Sequence, residues 1–159
     1  MISKVHFKSE SDRWQTPQEF WEMLDREFHF DIDVAADAWT ARLDEYYSPD
    51  NDGLLHEWRG TCWMNPPYGR TIGSWIRKAY ESRGTATTVA LIPARTDTLW
   101  WHHYVMRSNE IRLVRGRLAF LDADGYKRHP APFPSAVVIW KQTRKTRTRS
   151  PVLTTMERN

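Results

Sequence analysis

The segment Asn65-Pro66-Pro67-Tyr68 carries the groups best suited to chemistry in this sequence. The side-chain carbonyl of Asn65 and the main-chain carbonyl of Pro66 offer two acceptors, and Pro67 keeps Pro66 extended, which aims its carbonyl. Two fixed acceptors could hold the hydrogens of a planar amine, such as the exocyclic amine of adenine, whose lone pair is otherwise delocalised into the ring. Tyr68 could then stack on a base extruded from a duplex. The alternative is a rigid turn between a strand and a helix.

Two strand ends are predicted to converge on this segment. Residues 28–35 alternate apolar and polar side chains and end in small residues, which is typical of a strand entering a tight turn. Residues 61–64 form a second β-prone run, which stops at Asn65 because prolines lack the donor that a β-ladder needs. Ligands bind at the carboxyl ends of strands in open α/β sheets, so Asp33 and Asn65 should line one crevice.

Helices are predicted before and after these strands in the sequence. Thr16 is a suitable N-cap, and Pro17 a suitable first-turn residue, for a helix that follows them in the sequence. Residues 72–80 repeat apolar side chains at helical spacing. Thr96 or Asp97 could cap a third helix.

Strands are predicted to alternate with these helices. Residues 36–60 are loop-rich and leave room for a short strand near residues 45–47. Further strands are expected at residues 88–92, 111–114, 117–120 and 136–140. This order predicts an α/β sheet with an antiparallel C-terminal edge.

Length, cysteine content and hydropathy indicate one intracellular domain. The 159 residues, 40% of them hydrophobic, suit a single compact domain over residues 1–140, with residues 1–12 flexible. The single cysteine excludes an internal disulfide, and the histidines lack the spacing of metal ligands. The N-terminus lacks the features of a signal peptide, and no apolar run could span a bilayer. We therefore expect a cytoplasmic protein with no metal, no membrane contact and no obligate protein partner.

Residues 141–159 hold the excess of positive charge. They carry six of the 23 Lys and Arg residues and one of the 20 Asp and Glu residues, so the rest of the chain has 17 basic against 19 acidic residues. The basic spacing from Lys141 to Arg149 suits contacts with DNA phosphates. A solvated tail is an equal alternative on charge alone. In either case we predict that the segment is disordered.

The sequence resembles the phage and prophage Dam-like DNA N6-adenine methyltransferases over residues 14–140. The resemblance rests on the order of several segments, at residues 14–17, 30–36, 52–54, 63–69, 100–101, 116–120 and 132–135. It implies a Rossmann-like methyltransferase fold in a bacterial host cell. It also implies S-adenosylmethionine as the methyl donor, adenine in double-stranded DNA as the substrate, and no metal.

The same resemblance assigns roles to individual residues. It places Thr16 and Pro17 against the methionine end of the cofactor, with Asp33 and Ala35 beneath it. Asp52 would approach the adenosine moiety. Phe133 looks like the aromatic residue that other adenine methyltransferases place against the target base, opposite the catalytic tyrosine, although a core phenylalanine between two prolines is an equal alternative.

The sequence departs from larger methyltransferases in two ways. The turn after Asp33 lacks the glycines that allow close approach to the cofactor, and nothing is long enough to form a separate target-recognition domain. Sequence readout must then come from loops. Arginine can read guanine and lysine can anchor phosphates, so the candidates are Arg112, Arg115, Arg117, Lys127 and Arg128. An ordinary charged surface is the alternative for each of them.

Two other functions stay open. The Asn65–Tyr68 pattern also fits methylation of an RNA amine or of a protein glutamine amide. A catalytically silent nucleic-acid-binding module is the second alternative, which the intact pattern argues against. A role in protection from host restriction and a role in regulation are both compatible with the sequence.

Overall fold

The computed structural model describes residues 13–122, 125–126, 130–145 and 150–158. Within these ranges, α-helices and β-strands alternate along most of the chain, and short 3-10 helices fill several of the connections. The elements are α1 (Gln18–Phe28), β1 (Ile32–Asp33), β2 (Gly60–Met64), α2 (Ile72–Glu81), β3 (Ala86–Pro93), α3 (Leu99–His103), β4 (Glu110–Val114), β5 (Ser135–Trp140) and β6 (Val152–Met156).

The strands form one six-stranded sheet in the order β1-β2-β3-β5-β4-β6. β1, β2 and β3 are parallel neighbours, β5 is antiparallel to both β3 and β4, and β6 is parallel to β4. This confirms the predicted α/β class and an antiparallel strand, β5, in the C-terminal part of the chain, whereas the edge strand β6 is parallel to β4. However, β5 lies inside the sheet rather than at its edge. All six of its residues are buried, so it needs a paired strand on each side.

The core is centred on β3 and β5. Apart from Thr87, every residue of these two strands is buried. α2 covers the sheet with Ile72, Trp75, Ile76 and Ala79, all of them buried. The helix expected over residues 72–80 is thus confirmed. Burial of each large apolar side chain contributes about 1.5–3 kcal/mol to stability, which holds the neighbouring strand ends in place.

The strand predicted over residues 28–35 is wrong in extent. Phe28 is the last residue of α1, because its apolar face continues the helical repeat of that element. His29 then adopts a left-handed conformation, and its N–H donates to the Asp25 carbonyl at 2.8 Å. The Asp25 side chain accepts from Phe30 N at 2.9 Å. The chain therefore leaves the helix late, and β1 has only two residues.

The strand predicted over residues 117–120 is also wrong. Leu118 and Phe120 are buried, but their backbone pairs with no strand, and the nearest ladder contact is an isolated bridge between Gln15 and Leu121. Alternating burial alone cannot distinguish an extended segment from a strand. Leu121 N donates to Gln15 O at 2.8 Å, which ties this segment to the residues before α1.

Helix α3 begins later than the sequence suggests. Its cap is neither Thr96 nor Asp97 but Thr98, whose hydroxyl accepts from Trp101 N at 3.3 Å. The three residues share the polar character of a capping position, and Thr98 has the extended backbone that a cap requires.

The C-terminal segment contains a strand, which corrects the prediction of a disordered tail over residues 141–159. β6 pairs with the whole of β4, from Glu110 opposite Val152 to Val114 opposite Met156. Arg115 N also donates to Met156 O at 2.9 Å. The unpaired edge of β4 explains this strand, because an open edge offers a row of backbone donors and acceptors. The folded part of the chain thus extends past residue 140.

The described residues were also compared with the requirements of a membrane span and of a metal site. None of the helices in the described part of the chain is long and apolar enough to cross a membrane. Likewise, the described residues contain no group of three or more His, Cys, Asp or Glu side chains that could hold a metal ion.

Removal of residues 150–159 should destabilise the fold. It deletes the backbone hydrogen bonds between β4 and β6, each of which contributes about 0.5–1.5 kcal/mol. Since 1 kcal/mol shifts the melting temperature of a domain this size by about 2–4 °C, we expect a loss of several degrees in thermal denaturation. The double substitution Arg144→Gln/Lys145→Gln is the control, because it removes charge and keeps the strand. Equal melting temperatures for the truncated and full chains would contradict the role of β6.

Candidate active site

The carboxyl ends of β1 and β2 lie side by side, as the sequence predicts. Asp33 is the register partner of Trp63, and Val34 N donates to Trp63 O at 3.0 Å. Asn65 follows β2 directly, where the two prolines end the ladder. Residues from two strand ends thus meet at one edge of the sheet.

A cavity of about 550 Å³ opens at this edge, and we call it the strand-end cavity. Seven of the predicted site residues line it: Thr16, Asp33, Ala35, Asp52, Asn65, Pro66 and Pro67. Pro17 and Tyr68 are not part of its wall. Pro17 instead occupies the N-cap position of α1, where its carbonyl accepts from Trp21 N at 3.1 Å. The structure therefore brings together seven of the nine residues that the sequence analysis selected as catalytic or cofactor-binding, and none of the candidate DNA-contacting residues in the described part of the chain lines the cavity.

The Asn65 amide is fixed by two hydrogen bonds. Its Nδ2 donates to the Trp14 carbonyl at 2.5 Å and to the Thr16 hydroxyl at 3.1 Å. The Trp14 carbonyl can only accept, so the NH₂ group must point toward it, and the orientation of the amide is unambiguous. The Oδ1 atom is left buried and without a hydrogen-bond partner. Buried acceptors rarely stay unpaired, so this atom indicates a place for a donor from a ligand.

Thr16 serves this amide rather than the helix. It is buried, and α1 begins with no side-chain cap, so the predicted N-cap role of Thr16 is wrong. Its hydroxyl is instead engaged by Asn65 Nδ2. The sequence signal for a cap is the residue type before a helix, and a hydroxyl that faces a distant amide gives the same signal.

Asp33 is a buried carboxyl on the cavity wall. It is 3% exposed, and its Oδ1 accepts from Ala35 N at 3.3 Å. Burial raises the pKa of Asp33 to about 7, although main-chain N–H groups of Ala35 and Arg42 and the positive charge of Arg42 act to lower it. The ionised form is thus poorly stabilised by the protein. A cationic ligand in the cavity would favour it.

Asp52 also lines the cavity. Its backbone has a positive φ of 42°, and its side chain accepts from Leu54 N at 3.1 Å, which starts the 3-10 helix Gly53–Leu55. Gly53 packs so closely on β1 that a Cβ atom there would lie 2.2 Å from Val34 O. The same loop contacts the sheet through a single bridge between Asp33 and Tyr46, where a short strand was expected.

Tyr68 is buried beside the cavity. Its hydroxyl donates to the Leu91 carbonyl on β3 at 3.0 Å, and burial raises the pKa of Tyr68 well above its ordinary value. Its ring packs edge-on against Phe120 and Phe133, and Phe133 in turn packs edge-on against Trp14. Phe133 and Tyr68 are therefore in contact with each other, with ring centroids 5.6 Å apart. The structure does not leave a gap for a base between them.

The candidate arginines lie at the same edge of the sheet. Because β4 runs parallel to β2, Arg115 and Arg117 follow its carboxyl end. Both are exposed; Arg115 pairs with Glu157 at 3.3 Å, and Arg117 Nη1 donates to Ala131 O at 3.5 Å. Arg112 is held by Glu27 and Glu110, which raise the pKa of its guanidinium and occupy its donors. Lys127 and Arg128 lie outside the described residues.

Arg42 lines the cavity and was missed by sequence reasoning. It is half-buried, and its guanidinium donates to the Gln18 side chain and to the Thr16 carbonyl. It belongs to the loop-rich stretch between β1 and β2, where no periodicity distinguishes one polar residue from another. No signal in the sequence alone could have selected it.

Comparison with known proteins identifies the family to which this chain is similar. The model of the family described as DNA N-6-adenine-methyltransferase (Dam) matches residues 3–159. The DNA N-6-adenine-methyltransferase of Haemophilus phage HP1 is 28% identical over 120 residues, which is 72% of this chain and 69% of that protein. YfdM of Escherichia coli K12, provisionally named a methyltransferase, is 30% identical over 69 residues, covering 38% of this chain and 76% of YfdM.

A solved structure is also similar to this chain. It is a predicted O-methyltransferase from Agrobacterium tumefaciens, with a TM-score of 0.40 and 18% identity, covering 79% of this chain and 77% of that one.

A largely parallel sheet with its cavity at the carboxyl strand ends is typical of Rossmann-like α/β proteins. The match over nearly the whole sequence is more specific. The chain belongs to the Dam family of DNA N-6-adenine methyltransferases.

Substitution of Asp33 should reveal its raised pKa in the stability of the ligand-free protein. Since the pKa is about 7 when folded and 3.8 ordinarily, the unfolded chain releases this proton first as the pH rises. The buried Asp33 carboxyl therefore lowers the free energy of unfolding increasingly between about pH 4 and pH 7, and this destabilisation is complete above pH 7. Asp33→Asn should therefore raise the free energy of unfolding at pH 8, by about 4 kcal/mol at most, and by less at pH 5.

Urea denaturation at the two pH values measures this difference. Asp50→Asn, which removes an exposed carboxylate from a nearby loop, is the matched control. A gain for Asp33→Asn that is the same at pH 5 and pH 8 would show that burial does not raise this pKa.

Tyr68→Phe should destabilise the protein by about 1 kcal/mol. The substitution keeps the packed ring and removes the hydrogen bond from the hydroxyl to the Leu91 carbonyl. Chemical denaturation measures the loss, with Tyr126→Phe, at an exposed tyrosine, as the control. An unchanged free energy of unfolding would mean that the hydroxyl is not anchored in solution.

Proposed function

We propose that this protein transfers the methyl group of S-adenosylmethionine to N6 of adenine in double-stranded DNA. The observation that carries the proposal is the buried, unpaired Oδ1 of Asn65 at the wall of the strand-end cavity. A hydrogen-bond acceptor held at a fixed angle, with its own NH₂ group already engaged, suits a ligand that presents an N–H donor. The exocyclic amine of adenine presents two.

Asn65 and Pro66 act on the amine together. One N6 hydrogen is donated to Asn65 Oδ1 and the other to the Pro66 main-chain carbonyl, which Pro67 holds extended. Both hydrogens then lie on one side of the nitrogen, and its lone pair is directed to the other side. This orientation counters delocalisation of the lone pair into the ring. The stabilisation grows as positive charge develops on the nitrogen, so it favours the transition state over the bound substrate.

The strand-end cavity fits the cofactor. Its volume of about 550 Å³ lies in the range of small-molecule sites, and Trp63, Trp75 and Leu54 give it apolar walls. When bound, S-adenosylmethionine supplies an electrophilic methyl group on a cationic sulfur. The buried carboxyl of Asp33 offers a negative charge to the methionine end of this cofactor, which carries positive charge. Three further residues assigned to the cofactor line the cavity, namely Thr16, Ala35 and Asp52. Pro17 lies beside it, next to Thr16 in the sequence.

The target adenine must leave the duplex to reach Asn65. Asn65 lies in the wall of a cavity, and a base that stays paired and stacked within a duplex could not enter it. Trp14, whose carbonyl accepts from the Asn65 amide, packs with Phe120, Phe133 and Tyr68 in one aromatic cluster. A base that stacks on Tyr68 must therefore separate the Tyr68 and Phe133 rings. We propose that these two aromatic rings part to sandwich the extruded base.

Positive side chains would hold the DNA backbone. Arg115 and Arg117 are exposed at the same edge of the sheet as Asn65. Lys141, Arg144 and Lys145 are exposed after β5, at the opposite edge, because β5 is antiparallel to β3. We add Lys127 and Arg128 from the sequence pattern. The bacterial cytoplasm, where phage and host DNA are found, is the location that this activity requires.

Asn65→Ala tests the catalytic proposal. Wild-type protein should transfer labelled methyl from S-adenosylmethionine to unmethylated DNA, with the label on adenine when the product is sequenced. The variant should lose on the order of 10²–10³-fold in kcat, by analogy with removal of one oriented hydrogen-bonding group. Cofactor binding, measured by calorimetry, should persist and serves as the control for folding. Wild-type label on RNA or protein but not on DNA would overturn the substrate class.

The basic residues after β5 should contribute to DNA affinity without affecting cofactor binding. Arg144→Gln/Lys145→Gln should weaken binding to all DNA sequences alike and reduce the slope of log affinity against log salt by about one for each phosphate that the variant no longer neutralises. Arg59→Gln, at an exposed arginine on the loop before β2, is the control. An unaltered salt slope would mean that this segment does not touch DNA.

A further inference from the structure

Two opposite charges share the wall of the strand-end cavity. Asp33 and Arg42 both line it, and each affects the titration of the other through its charge. Their side chains nevertheless do not form a direct ion pair. Because both groups line one cavity and form no ion pair with each other, a ligand held there can contact both.

The contacts of Arg42 leave its charge available. Its guanidinium donates from Nη1 to the Gln18 side-chain oxygen and from Nη2 to the Thr16 carbonyl, and both acceptors are neutral. Burial is the main influence on this guanidinium and lowers its pKa. A guanidinium has five N–H donors, so three remain for an anion. The two neutral contacts fix the plane of the group, which prepares it for a carboxylate.

The contacts of Asp33 leave its carboxyl available for a cation, as those of Arg42 leave its guanidinium available for an anion. Its carboxyl accepts from the Ala35 main-chain N–H at 3.3 Å, and the pairing of β1 with β2 holds its backbone. The carboxyl is almost fully buried, with no cation bonded to it among the described side chains. The cavity thus presents one group suited to a positive charge and one group suited to a negative charge.

We propose that Arg42 binds the α-carboxylate, and Asp33 the α-ammonium, of the amino-acid part of the cofactor. An α-amino acid zwitterion carries its two charges on one carbon, which matches an unbridged pair of opposite charges. Thr16 links this subsite to catalysis, because its carbonyl accepts from Arg42 while its hydroxyl accepts from Asn65. The methionine end therefore lies near the amide that holds the target amine. This inference rests on the proposed use of S-adenosylmethionine.

Ligands that differ only in the amino-acid part test the proposal. Calorimetry would compare S-adenosylhomocysteine with 5′-methylthioadenosine, which keeps the adenosine and the sulfur but has no amino-acid group. Arg42→Gln should weaken S-adenosylhomocysteine binding by about 10- to 100-fold, the loss expected for a charge-assisted hydrogen-bonded pair, and leave 5′-methylthioadenosine within about twofold. Arg42→Lys should fall between, because it keeps the charge and loses the bidentate geometry.

Arg59→Gln is the matched control, since it removes an exposed arginine away from the cavity and should change neither affinity. Equal losses for both ligands in Arg42→Gln would mean that Arg42 only supports the fold, and no loss for either would mean that it does not contact the ligand. Either result overturns the inference and leaves the proposed function standing. Failure of the wild-type protein to bind S-adenosylhomocysteine would instead overturn the proposed function, and this inference with it.

Discussion

The two hydrogen bonds from the Asn65 amide to the Trp14 carbonyl and the Thr16 hydroxyl are the contacts on which the site depends. They connect the residues before α1 to the end of β2, and they settle which way the amide faces. An unpaired buried acceptor lowers the free energy of unfolding by about 1–3 kcal/mol, so leaving Asn65 Oδ1 without a partner destabilises the ligand-free protein. A ligand that donates to this atom recovers that energy. The arrangement is thus easier to explain by binding than by folding.

Asp33, at the end of the neighbouring strand, also lowers the free energy of unfolding. Its carboxyl is buried at the end of β1, and its raised pKa means that folding disfavours the ionised form. Asp33 and Asn65 are neighbours because β1 and β2 are in parallel register. The stability that offsets both costs comes from elsewhere, chiefly from the buried residues of β3 and β5. A rigid centre with strained polar groups at one edge is typical of a binding site built on strand ends.

The parts of the site that were predictable are those set by local chemistry. Two consecutive prolines must end β2, so the position of Asn65 followed from residue types alone. The spacing of Ile72, Trp75 and Ile76 likewise identified α2. The loop between β1 and β2 was not predictable in this way. The positive φ of Asp52 and the place of Arg42 depend on contacts with residues distant in sequence.

The errors in the fold have the same origin. Residues 117–120 alternate in burial as a strand does, but whether they pair depends on a partner that the local sequence does not specify. In the C-terminal segment, the basic residues favoured disorder and hid the β-prone run at its end. The partner of that run is β4, some forty residues earlier, and its open edge provides the stabilising interaction. The charge of a segment indicates how well it is solvated, and it does not predict whether the segment pairs with a distant strand.

The position of β6 also bears on the proposed DNA-facing surface. β6 is parallel to β4, so its carboxyl end returns to the edge of the sheet that holds the cavity. There Arg158 donates to the Arg117 carbonyl at 2.9 Å, and Glu157 pairs with Arg115. The end of β6 therefore restrains the loop that carries the two exposed arginines. A strand at the far edge of the sheet positions side chains for the proposed DNA contact, and the C-terminal segment contributes order as well as charge.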